Sequence, residues 1–140
     1  MGNFKYDLQV GQTAERLVSD RFIEKGYTVE FNTGSTITEL SGWDLCITKD
    51  DKVYKIEVKN DLMCIKTGNV AIEHKCINNS TADILVYVIK DKGIFYTTIN
   101  NGRYMLTDKI DGRNLWGGDG GRSYMKLVRY EEFIKYCWEL

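Results

Sequence analysis

The sequence predicts an α/β chain in which helices flank a mixed β-sheet. Three patterns predict it. A helical apolar stripe opens the chain, alternating and continuous apolar runs fill its middle, and a second helical stripe closes it. The opening stripe is Val10, Ala14, Leu17, Val18 and Phe22, giving a helix over about Val10–Lys25 with Lys25-Gly26 as its stop. Tyr27–Asn32 reads as a short strand and Thr33–Ser41, small and polar, as a loop. Trp43–Thr48 alternates, Lys49–Lys52 turns and Val53–Lys59 alternates again, the pattern of a hairpin. Asn69–Lys75 is a further strand candidate. Ile84–Ile89 is apolar throughout, as a strand buried on both faces is. Gly93–Ile99 is its expected hairpin partner. Between Lys75 and Ile84 no helical pattern is evident. The closing stripe places Tyr130, Phe133, Ile134, Cys137 and Trp138 on one side of a helix over Tyr130–Leu140, with Glu131 and Glu132 at its positive end.

Length and composition narrow the class. A chain of 140 residues, 43% hydrophobic and 28% charged, fits one globular domain over 1–140. No apolar run reaches the roughly 18–20 residues that span a bilayer, so no membrane partner is expected. The first residues lack the basic-then-apolar order of a secretory signal, and a cytoplasmic protein is expected. A net charge of −1 excludes a histone-like polycation but leaves room for a local basic patch. Cys46, Cys64, Cys76 and Cys137 form no CxxC pair. Reduced, mostly buried thiols are expected, rather than a zinc site built on Cys64, His74 and Cys76.

The residues with chemistry to offer lie in the hairpin. Glu57 and Lys59 share one strand face while Ile56 and Val58 share the other. A two-residue turn at Asp50-Asp51 pairs Lys49 with Lys52, and a four-residue turn pairs Thr48 with Val53. Both give one register. It opposes Trp43, Leu45 and Ile47 to Val58, Ile56 and Tyr54, and sets Asp44 against Glu57. A three-residue loop spoils that apolar match. Carboxylates directly opposed have Cβ atoms about 4.5–5.5 Å apart and repel unless a cation lies between them. A hard divalent ion suits that position: Mg²⁺, or Mn²⁺ in its place, with the Val58 carbonyl as a third ligand. Lys59 would sit beside a metal-bound water, where it could orient that water or neutralise a developing oxyanion. These are parts for phosphodiester hydrolysis. Glu15, at the edge of the opening stripe near Phe22 on the helical wheel, is a fourth candidate. The competing reading is a solvated strand surface.

These residues resemble the PD-(D/E)xK, or restriction-endonuclease-like, nuclease superfamily. Asp44 matches its metal-binding aspartate and Glu57-Val58-Lys59 its (E/D)xK. Gly11–Glu15 is similar to the G-x-x-A-E start of archaeal Holliday-junction resolvases. Gly42–Leu45 and Ile56–Lys59 are similar to their G-x-D-L/I hairpin and I-E-V-K strand. Thr67–Glu73 and Ala82–Tyr87 resemble the T-G-N-x-x-I-E and A-D-x-x-V-Y strands of small phage nucleases. Trp43 stands where the superfamily often has proline, and the chain lacks the basic charge of the junction resolvases. The resemblance implies an αβββαβ-type core and Mg²⁺-dependent cleavage of duplex or branched DNA. It places Asp44, Glu57, Val58 and Glu15 on the metal and Lys59 beside the water. A homodimer is expected, because cutting two strands takes two sites, and the phage likeness suggests action in a host cytoplasm.

DNA contacts are sought in two places. Arg103–Arg129 carries Arg103, Lys109, Arg113, Arg122, Lys126 and Arg129 against Asp108, Asp111 and Asp119. The loop Gly117–Gly121 offers backbone N–H groups to phosphates, and Trp116 and Tyr124 offer rings to an exposed base. Lys66, Thr67 and Gly68 read as a loop beside the site, and Asn69, Glu73 and Lys75 as one strand face. Lys66, Asn69, Lys75, Arg113 and Arg122 are the named DNA-contact candidates, and His74 is read as structural. The alternative function is a non-catalytic nucleic-acid module, or a phage anti-restriction or interaction protein that reuses the fold.

Overall fold

A computed structural model describes residues 4–32, 42–117, 121 and 123–140, with side chains from Thr13 onward. Helix α1 (Phe4–Glu24) starts before Val10, over residues whose apolar positions form no stripe. It stops where expected. Gly26 takes φ +92°, and the N–H of Tyr27 returns to the Phe22 carbonyl at 3.0 Å.

Strands β1 (Thr28–Phe31), β2 (Leu45–Lys49) and β3 (Lys52–Asp61) form an antiparallel meander. β5 (Ile84–Ile89) lies parallel to β3, and β6 (Gly93–Thr98) turns back against β5. With β9 (Trp138–Glu139) the sheet runs β1-β2-β3-β5-β6-β9. The β2–β3 turn is the two-residue one: Lys49 pairs with Lys52, and Asp50 and Asp51 both take positive φ, +51° and +66°. Two successive positive φ values give the primed turn whose twist matches its strands. Leu45 consequently opposes Ile56 and Ile47 opposes Tyr54.

A second, three-stranded antiparallel sheet was not foreseen. It joins β4 (Asn69–Glu73), β8 (Ser123–Arg129) and β7 (Arg113–Gly117) in that order. Short helices link the two sheets: α2 (Cys64–Thr67), α3 (His74–Asn78) and α4 (Ile99–Met105). α5 (Tyr130–Phe133) follows β8.

The larger sheet separates two cores. On one face α1 packs Val18 and Phe22 onto Leu45, Ile47, Ile56 and Val86. On the other, Leu85, Tyr87 and Ile89 meet Val70, Ile72, Ile77, Val128 and Phe133. Ile84–Ile89 is apolar without alternation because its odd and even residues supply different cores.

Four expectations are corrected. The strand from Asn69 ends at Glu73, because His74–Asn78 winds into α3 and buries Ile77; Lys75 is therefore on a helix. That helix is the element not evident between Lys75 and Ile84. Lys66 and Thr67 lie in the last turn of α2, and Gly68 caps it at φ +75°. The closing helix is only one turn. Ile134–Tyr136 tightens to 3₁₀, and Trp138–Glu139 pairs with β6. The switch has local causes: Thr97 Oγ1 donates to the Tyr136 carbonyl, and the Leu140 N–H donates to the Ile94 carbonyl at 2.9 Å. Of the four free cysteines only Cys64 is buried; Cys46, Cys76 and Cys137 are half-buried. The Thr33–Ser41 loop lies outside the described residues, as do Gly118–Gly120 and Arg122.

Phe133 is fully buried and meets Tyr87 edge-on at 5.0 Å, so it joins the short helix to the larger sheet. Phe133→Ala is expected to cost about 3–5 kcal/mol of unfolding free energy, read from the midpoint of a urea titration.

Candidate active site

The hairpin register builds the site. Asp44 lies one residue before β2, beside the Leu45–Ile56 pair, and its charge acts on Glu57. Its N–H donates to the Ile56 carbonyl at 2.7 Å, and its Oδ2 accepts from the Val58 N–H at 2.7 Å. Its own carbonyl accepts from the Asn32 N–H at 2.8 Å, and Asn32 Nδ2 donates to the Trp43 carbonyl at 2.7 Å. On the other side Ser80 Oγ donates to the Gly42 carbonyl at 3.1 Å and accepts from the Ala82 N–H. Gly42 has φ +74°, and a Cβ there would stand 3.3 Å from the Thr81 nitrogen. Only glycine meets both conditions easily. The chain is thus held on both sides of the carboxylate.

Glu57 is buried, with its two carboxylate oxygens 3.4 and 3.5 Å from the Cys76 thiol, which donates to them. Cys76 comes from α3, and Lys59 lies within reach of both groups. Glu15 comes from α1, across the sheet, and shares a hydrogen bond with Asp44. The structure therefore brings together Glu15, Asp44, Glu57 and Lys59, with the Val58 backbone between them. Asn32, Gly42, Cys76 and Ser80 are positioning groups that sequence reasoning missed. Gly42 alone had a signal, its place two residues before Asp44.

The site is crowded with negative charge. Burial pushes the Asp44 and Glu57 carboxyls above their ordinary range; the Val58 N–H and Lys59 oppose this at Asp44, and Lys59 opposes it at Glu57. Glu15 rises to about 7, through burial first and then the Asp44 charge. Burial alone would pull the Lys59 ammonium down. The Cys76 sulfur and the Glu57 and Glu73 carboxylates outweigh it and leave Lys59 above its ordinary value. Lys59 is consequently a cation at neutral pH, suited to stabilising negative charge rather than to taking a proton. The Cys76 thiol is pushed up to about 11, chiefly by burial, and is neutral there.

Among the described residues no three His, Cys, Asp or Glu side chains gather into a metal cluster. A metal would instead draw on two carboxylates and backbone oxygen. In a strand, alternate carbonyls point to the same edge. That of Ile56 is taken by Asp44, and that of Val58 lies one pleat further on, past the start of β2. Two carboxylates and a carbonyl, with room for water, suit Mg²⁺, which keeps several waters. The carboxyls raised by burial fit it too, since a cation would favour their charged forms.

The DNA-contact candidates divide. Lys66, Lys75 and Arg113 are exposed, and Asn69 is half-buried at the start of β4. Lys126, counted with the basic stretch, is buried: its ammonium donates to the Thr107 and Ile110 carbonyls. Arg103 reaches the Ser80 carbonyl at 3.4 Å. The described part of the segment includes the end of α4 and strands β7 and β8; Gly118–Gly120 of the expected glycine loop lie outside the described residues. His74 Nε2 is hydrogen-bonded to Asn114 Oδ1 at 2.7 Å.

Glu15 yields a prediction. Folding raises its carboxyl from 4.5 to about 7, so the folded chain holds the proton more tightly than the unfolded chain does. Stability from that proton is complete below pH 4.5 and is lost as pH rises to about 7. Without divalent metal, Glu15→Gln should flatten the loss across that window, measured as the urea midpoint against pH.

No family model and no curated protein matches the sequence. Solved structures do match the fold. The chain superposes on the bacterial homing endonuclease I-Ssp6803I with a TM-score of 0.62 and 18% identity, over 98% of this chain and 88% of that one. It superposes on the Archaeoglobus fulgidus Holliday junction resolvase Hjc with a TM-score of 0.58 and 9% identity, over 93% and 91%. The mixed sheet, its flanking helices and these structural neighbours give this chain the restriction-endonuclease-like fold.

Proposed function

We propose that the chain is a Mg²⁺-dependent DNA endonuclease, with Mn²⁺ able to replace Mg²⁺. The observation that carries this reading is the convergence of Asp44, Glu57 and Lys59, whose charges act on one another, with the Asp44 carboxylate accepting from the Val58 N–H. A purely binding surface has no use for two carboxylates forced together at a cost. The nuclease neighbours support DNA as the substrate class.

In this reading Asp44, Glu57 and the Val58 carbonyl hold the metal. Bound there, Mg²⁺ supplies Lewis acidity to the scissile phosphate and lowers the pKa of a coordinated water. The chain's residues do the rest. Lys59, kept protonated by Glu57 and Glu73, faces the negative charge that develops on the phosphate. Glu15, hydrogen-bonded to Asp44, would join the metal site directly or through water. Asn32, Gly42 and Ser80 hold the Asp44 backbone, so that carboxylate needs little reorganisation. Lys66, Lys75 and Arg113 are exposed cations for backbone phosphates. Cutting both strands of a duplex calls for two such sites, hence a homodimer, which sedimentation equilibrium at working concentration checks.

The deciding experiment is cleavage in Mg²⁺ or Mn²⁺ of linear duplex, single strand, flap, fork and four-way junction. Glu57→Ala and Lys59→Ala should each lower the rate at least about a hundredfold. Asp44→Asn should remove Mg²⁺ binding seen by calorimetry. Cutting that survives both alanine variants overturns the assignment of the site. Binding without cutting points to the non-catalytic module.

A further inference from the structure

Three rings form a row that ends beside the acidic site. Trp116 and Tyr124 are directly opposed on β7 and β8, with ring centroids 5.0 Å apart. Tyr124 in turn stacks on His74, 4.8 Å away and 27° from parallel. Asn114, two residues before Trp116 on the same strand face, fixes the imidazole through its Nε2. Trp116 is tilted 45° to Tyr124, so the three elements hold three rings in contact, with two of them stacked.

The row is open to solvent. By strand alternation Trp116 and Tyr124 share the sheet face that buries Val70, Ile72 and Val128, but they lie beyond the core. Trp116 is 65% exposed, the highest value among the exposed large apolar residues, and Tyr124 is 39% exposed. A cross-strand aromatic pair accounts for contact between the rings and not for the open faces.

Position ties the row to the site. His74 follows Glu73, whose charge acts on Glu57 and Lys59, and precedes by two residues Cys76, whose thiol touches Glu57. Lys75 beside His74 is an exposed cation; Arg113, also exposed, alternates to the face of β7 opposite Asn114 and Trp116. Flat rings, flanking positive charge and an anionic metal-type site at one end together suit a strand whose bases stack while its phosphates run toward the carboxylates.

We infer that Trp116, Tyr124 and His74 form a stacking platform for unpaired nucleobases of the DNA strand that enters the Asp44–Glu57 site. The identity of the strand as DNA rests on the nuclease reading above. Rings read base faces, which a blunt duplex hides inside its stack. The platform therefore favours forks, flaps, junctions and single strands over intact duplex.

The test is binding of the full chain to labelled single-stranded, forked and blunt duplex DNA by fluorescence anisotropy in EDTA, where no cleavage intervenes. Trp116→Ala should weaken binding to the single strand and the fork by about tenfold or more. Trp116→Phe, which keeps a ring, should restore most of it, and blunt duplex binding should change less than about twofold. Tyr124→Ala should repeat the pattern. Equal losses on all three DNAs, no loss on any, or no binding of unpaired DNA by the unaltered chain overturns the platform. A change in sedimentation without a change in DNA binding also overturns it and gives the row to a contact between copies. The two readings fail separately. Ring-dependent binding without metal-dependent cutting keeps the platform and sinks the nuclease, while cutting with no ring dependence does the reverse.

Discussion

Everything in the site depends on the pairing register of one hairpin. Strand side chains alternate with period two, so a shift of one residue between β2 and β3 would part Asp44 from the Ile56 carbonyl and the Val58 N–H that hold it. It would also turn Leu45 and Ile47 out of the core beneath α1. The geometry of the candidate site and core packing are therefore set by the same choice. The turn that makes it is Asp50-Asp51, two non-glycine residues with positive φ, a conformation aspartate tolerates better than most. The apolar match of the two strands holds them there.

The second constraint is electrostatic. β3 separates hydrocarbon on one face from Glu57, Lys59 and Asp61 on the other. Asp61 is fully employed: its Oδ1 accepts from the Met63 and Cys64 N–H groups and its Oδ2 from that of Ala71. It joins the end of β3 to α2 and β4. Glu57, four residues earlier on the same face, has a weakly donating thiol and a neighbouring cation instead. The difference separates a structural carboxylate from one held ready for a ligand.

Much of this was legible in the sequence for one reason: the hairpin and Ile84–Ile89 have patterns strong enough to fix register and burial. Glu57, Lys59 and Asp44 could be placed because alternation is local. What escaped depends on contacts distant in sequence. The turn at Tyr136 follows from Thr97 and Ile94, and no helical periodicity in Tyr130–Leu140 reveals that a strand edge waits there. Lys126 looked like a phosphate contact because charge usually means surface; here two carbonyls near Ile110 compensate its burial. α3 was hidden because a five-residue helix is shorter than a helical pattern needs. Cys76 reached Glu57 only through that helix.

Glu15 and Asp44 belong to different layers, one on the helix and one on the sheet, yet share a proton. Their hydrogen bond makes the gap between the layers a chemical variable. Were α1 to lift from Leu45 and Ile56, water would enter, Glu15 would regain an ordinary carboxyl's acidity, and Asp44 would lose its donor. The acid–base state of the site is thus a gauge of how firmly the first helix is seated.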